Sequence, residues 1–61
     1  MIKVGDKFKV VKNGIVGTIV SGSDPVFHVS FIKPDGSLYY NADVHYTTIA
    51  NNLKYGFYER M

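Results

Sequence analysis

The sequence predicts an all-β protein: a small barrel of five to six short antiparallel strands, in one domain spanning residues 1–61. Three observations predict it. Apolar and polar residues alternate with a period of two in several runs, the pattern of half-buried strands. Turn-forming groups, Asn13-Gly14 and Pro34-Asp35-Gly36, separate those runs. The runs are short and closely spaced, which favours a barrel or sandwich.

The first strand is expected over residues 7–12. Val4, Phe8 and Val10 fall on one face and Lys3, Lys7 and Lys9 on the other, with Gly5-Asp6 interrupting near the start. Asn13-Gly14 is a turn signal, since both residues tolerate positive φ. The second strand, residues 16–21, is rich in β-branched residues and carries Gly17. A glycine inside a strand predicts a bulge or a close approach of another strand. Gly22-Ser23-Asp24-Pro25 reads as a loop. Residues 26–33 form the third strand, with Phe27, Val29 and Phe31 opposite His28 and Ser30. Pro34-Asp35-Gly36 turns the chain into a partner strand over residues 37–41.

Residues 41–44 read as a short turn or single 3₁₀ turn, and residues 46–49 have strand composition. Asn51-Asn52 marks another turn. Residues 53–59 are expected to return as a strand with Leu53, Tyr55 and Phe57 on one face. A competing reading folds residues 48–53 into a short helix, capped by Thr47 or Thr48 and with Gly56 beyond its end. Threonine, isoleucine and paired asparagines form helices poorly, which favours strands.

Sixty-one residues with 46% hydrophobic content give a globular composition and a small core. Nine aromatic residues supply much of the area that closes it. There is no cysteine, so neither disulfides nor thiolate metal ligation supplement the core. No signal-like or membrane-spanning apolar run occurs, and a cytoplasmic location without a membrane partner is expected. The net charge of +2 permits an anionic partner without requiring one.

The stretch from Val4-Gly5-Asp6 through Val16-Gly17-Thr18-Ile19-Val20 resembles the opening of SH3-like barrels, in particular KOW-type modules. It has a Gly-Asp start, an alternating strand, a turn, and an apolar-Gly-x-Ile element. The resemblance covers the first third of the chain. It implies a noncatalytic binding module whose partners are protein or RNA components of transcription or translation. The size resembles that of small bacteriophage accessory proteins that act on one host factor. Type II dihydrofolate reductases, tetramers of SH3-like barrels, are similar at Gly5-Asp6 and Gly17-Thr18-Ile19-Val20. Their Val-Gln-Ile-Tyr element would fall at Ser37-Leu38-Tyr39-Tyr40, where the binding glutamine has no counterpart.

Two surfaces are candidates for function. Lys7, Lys9, Lys12 and Lys33 with Tyr39 combine cations for phosphates with a ring for base stacking, the elements of an RNA or DNA surface. The competing account is that the lysines solubilise outer faces and protect edges. Val11, Ile32, Tyr39, Tyr55 and Tyr58 are candidate anchors of a protein interface or a homodimer. Val11, Ile32, Tyr39 and Tyr58 are expected opposite the core. His28 with Ser30, and Asp43 with His45, share strand faces but lack a nucleophile context or a third metal ligand. No catalytic residue, metal or cofactor is therefore expected.

Overall fold

The computed structural model describes residues 2–61. Exposed Lys7 and Lys9 flank buried Phe8 in β1 (Lys7–Val10). The strand stops short of residue 12 because the chain turns at residues 11–13. There the Gly14 N–H donates to the Val10 carbonyl at 2.8 Å, and the Asn13 side chain accepts from the Ile15 N–H at 3.0 Å. Gly14 alone takes positive φ in this turn. Val4 lies exposed ahead of the strand, and Val10 is only half-buried, so Phe8 is the one inward residue of β1 to reach the core.

β2 (Val16–Ser23) pairs antiparallel with β1 and sets Gly17 opposite Phe8. The close approach expected at Gly17 is there, but its partner is a ring. A Cβ on residue 17 would lie 2.4 Å from Phe8 Cζ. The bulge falls instead at Val20, the extra residue where the register with the next strand shifts between Ile19 and Ser21.

β3 (Val26–Ile32) buries Phe27, Val29 and Phe31, as its alternation predicts. The loop expected over residues 22–25 shrinks to Asp24-Pro25, a cis peptide, because β2 continues to Ser23. After β3 the chain turns as expected. The Gly36 N–H donates to the Lys33 carbonyl at 2.9 Å, and the Asp35 carboxylate accepts from the Ser37 N–H and hydroxyl.

β4 (Leu38–His45) corrects the turn expected at residues 41–44. β3 offers partners along its whole length: Asn41 faces Ser30, Ala42 faces Val29, Asp43 faces His28 and Val44 faces Phe27. Ala42 and Val44 pack against the core, and that burial outweighs the poor strand propensity of asparagine and aspartate. Tyr39 is the extra residue of a second bulge, between the pairs Phe31–Tyr40 and Ile32–Leu38.

The strand expected at residues 46–49 is helical. α1 (Tyr46–Lys54) is longer than the competing helix over residues 48–53, and its cap is His45. The His45 ring accepts from the Thr47 N–H at 3.3 Å and bonds the Thr47 hydroxyl at 2.8 Å. Gly56, with φ of 83°, lies beyond the helix end. Helix wins over local propensity because Ile49 and Leu53, one turn apart, both reach the core from one face. Ile49 is 1% exposed. The final strand is correspondingly short, β5 (Tyr58–Arg60), and pairs with β1. Tyr55 and Phe57, expected on one strand face with Leu53, part from it: they are 66% and 64% exposed, whereas Leu53 packs against the core from α1.

Among the described residues, the result is one antiparallel sheet in the order β4-β3-β2-β1-β5 with a single helix. Phe8, Ile19, Phe27, Val29, Phe31 and Ile49 form the core. β4 and β5 are the sheet edges, and α1 packs against both of them at one end.

Candidate functional site

An unbroken run of rings crosses the sheet toward the surface. Tyr58 stacks on Phe8 with centroids 4.5 Å apart, and Phe8 meets Phe31 edge-on at 6.0 Å. Phe31 stacks on Tyr40 at 4.8 Å, and Tyr40 meets Tyr39 edge-on at 4.8 Å. Offset and edge-on pairs add about 0.5–1.5 kcal/mol each beyond area burial, so the run is a stiff platform. Its inner members are core residues. Its outer members, Tyr40 and Tyr39, are 47% and 53% exposed.

Two adjoining depressions follow this run. One, of about 160 Å³, lies between Tyr58, Tyr40, Phe31 and Val10. The other, of about 450 Å³, lies between Lys33, Pro34 and Asp35. Asn13, Ile15 and Tyr39 line both, which makes them one groove. The Tyr39 bulge and the two tight turns at residues 11–15 and 33–37 shape it. Lys33 Nζ stands 5.8 Å from the Tyr39 centroid, a cation over a ring face. Burial raises the Tyr58 phenol above its ordinary 10.0, and nearby Tyr40 adds to that.

The candidate residues divide across the molecule. Lys33 and Tyr39 meet in the groove, whereas exposed Lys7 and Lys9 share the outer face of β1 and Lys12 lies in the following turn. Val11 is exposed in that turn, and its N–H donates to the Phe57 carbonyl at 3.0 Å. Ile32 is half-buried on the outer face, paired with Val16 and Leu38. Tyr55 is exposed at the end of α1. Tyr58 corrects its expected placement: its ring is on the core side, against Phe8. Sequence reasoning missed Tyr40 and Ile15 as groove walls. No local signal marks either: Tyr40 faces Phe31 only because of the bulge at Tyr39, and Ile15 lies in a turn that neighbours the groove only in space.

Asp43 does not pair with His45, which is occupied by Thr47. The Asp43 carboxylate instead contacts the Nδ1 of His28, its cross-strand partner on the exposed outer face. Among the described residues, no three His, Cys, Asp or Glu side chains gather to hold a metal ion, and no helix is long and apolar enough to cross a membrane. A larger opening of about 560 Å³ lies beneath α1, between Phe27, Ala50 and Leu53, with Asp24, Lys54 and Arg60 at its rim. It brings together none of the residues that form the aromatic groove.

Two aspartates carry a pH dependence. The Lys3 N–H beside Asp6, aided by the Arg60 guanidinium at 3.3 Å, holds its carboxyl below the ordinary 3.8. The Ser37 hydroxyl and N–H do the same for Asp35. A carboxyl depressed in the folded state stabilises above its unfolded value, and the contribution disappears as pH falls through the folded value. Thermal melts from pH 7 to pH 2 should therefore lose stability below about pH 4. The acid loss should be smaller in Asp6→Asn; an unchanged acid slope in that variant would discount the contribution.

No family model, curated protein or solved structure matches this chain.

Proposed function

We propose that this protein is a noncatalytic binding module that takes an extended segment of a protein partner in the aromatic groove. The carrying observation is the exposed Tyr39–Tyr40 corner set on a rigid ring run, with Ile15 and Pro34 completing apolar walls. Aromatic side chains give large contact area at little conformational cost, and they dominate binding when water is excluded around them. The antiparallel order with a short helix before the last strand supports an SH3-like reading of the barrel. Through its resemblance to KOW-type modules, that reading suggests a cytoplasmic partner in transcription or translation, of the kind a phage accessory protein would engage.

One observation favours a second reading. Lys33 and Tyr39 adjoin, and a cation beside a stacking ring is what single-stranded RNA or DNA binders use. Affinity capture with and without nuclease, followed by mass spectrometry, separates the two. The protein reading expects a stoichiometric partner that survives nuclease. Tyr39→Ala with Tyr40→Ala should weaken it by at least about tenfold, with the circular dichroism spectrum unchanged. Capture that vanishes with nuclease, falls steeply with salt and is weakened by Lys33→Glu would replace it with the nucleic-acid reading.

A further inference from the structure

We propose that β4 is a self-pairing edge, through which two copies of this chain join their sheets about a two-fold axis at Ala42. The argument begins with backbone direction. The Tyr46 N–H donates to the Pro25 carbonyl at 2.8 Å, one step beyond the β3–β4 ladder. In an antiparallel ladder bonded and non-bonded pairs alternate, so Val44, Ala42 and Tyr40 turn their backbone groups toward β3. Asn41 and Asp43 then turn their N–H and C=O groups outward, along the open edge.

Natural edges are blunted by lysine, proline, shortness or a bulge; β4 runs eight residues as Leu-Tyr-Tyr-Asn-Ala-Asp-Val-His without lysine or proline, and its bulge lies near one end, at Tyr39. The opposite edge, β5, has three residues and two of them are charged. The usable part of β4 is bounded by the Tyr39 bulge at one end and the His45 cap of α1 at the other.

Within those bounds, the two-fold at Ala42 makes the strand complementary to itself. It sets Asn41 opposite the second copy's Asp43 twice, forming four backbone hydrogen bonds between outward-turned groups. An amide thus meets a carboxylate on the outer face, where His28 contacts the same carboxylate from the other side. On the inner face, Ala42 meets Ala42 and Tyr40 meets Val44. Moving the axis to Asp43 would place two carboxylates against each other, which is unfavourable. Moving it to Asn41 would run Asp43 into the bulge. A two-fold interface requires this kind of self-complementarity. Tyr40 belongs to both surfaces, but the four hydrogen bonds lie at Asn41 and Asp43, outside the groove.

Sedimentation equilibrium of the isolated chain across micromolar to millimolar concentration tests it, with amide exchange followed by NMR. A reversible monomer–dimer equilibrium is expected, with the Asn41 and Asp43 amides protected only as concentration rises. Asn41→Asp opposes like charges twice and should raise the dimer dissociation constant about tenfold, whereas adding Asp43→Asn to it, which exchanges amide and carboxylate across each pair, should restore it. Both changes are on exposed outer positions, and circular dichroism verifies that the fold is retained. A monomer at every concentration, a tetramer, concentration-independent exchange of these amides, or equal effects of the two variants would overturn the proposal.

Discussion

Phe8→Ala is expected to leave the chain largely unfolded at 25 °C. The ring is 2% exposed and stands at the crossing of the structure: Gly17 opposite it on β2, Tyr58 stacked on it from β5, and Phe31 edge-on from β3. Removing a buried phenylalanine costs about 3–5 kcal/mol. A chain of this length has only roughly 3–9 kcal/mol in total. Denaturant unfolding monitored by far-UV circular dichroism measures the loss, and a midpoint near that of the unmodified protein would refute this account of the core. The contact with Gly17 can be isolated with milder changes. Gly17 does not adopt a positive φ, and the atoms nearest to a Cβ there are those of the Phe8 ring. Gly17→Ala alone should cost about 2 kcal/mol by overpacking. Combined with Phe8→Leu, which vacates the space above residue 17, the same substitution should cost much less. The cycle should show a coupling of about 1 kcal/mol or more; additivity would mean that the ring and the glycine do not constrain each other.

Gly22→Ala is expected to be comparably severe, for a different reason. Gly22 has a φ of 98°, and a Cβ there would lie 2.8 Å from the Val26 carbonyl oxygen and 2.9 Å from the Phe27 Cα. The left-handed conformation costs a residue with a side chain about 1–2 kcal/mol. The clash adds to it because its partner is backbone that positions core residue Phe27, and backbone cannot swing aside as a side-chain tip can. A total near 3 kcal/mol is expected. Gly36 is the control: its φ is 92° but nothing lies within 4 Å of its Cβ direction. Gly36→Ala should show the conformational cost alone, about 1–2 kcal/mol. Equal unfolding midpoint shifts for the two variants would mean that the packing against β3 contributes nothing.

Both predictions concern the first half of the chain, where most local signals agree with their tertiary role, although Gly22, expected in a loop, continues β2. Around Phe27, Val29 and Phe31 the period of two, the flanking turns and the β-branched composition all favour the same structure. The Asp35-Gly36 turn forms as its side chains dictate, since Asp35 bonds Ser37 two residues on. The aromatic groove was partly legible. Lys33 and Tyr39 were singled out as members of one surface, and they do meet. Tyr40 and Ile15 were not, because their place in the groove depends on the bulge at Tyr39 and on which turns neighbour each other in space.

By itself, the sequence determined that the protein is antiparallel β, that Phe8 and the three inward residues of β3 are buried, and where the first and third turns fall. Those features rest on contacts between residues close in the chain, or on a periodicity written directly in it. The tertiary structure decided the rest. Residues 41–45 became strand because β3 offered them a full ladder of partners, and residues 46–54 became helix because that shape carries Ile49 and Leu53 together onto the core between the edges. Tyr58 turned inward because Phe8 presents a ring face to stack on. In each case burial against distant residues outweighed a local propensity smaller than about 1 kcal/mol per residue.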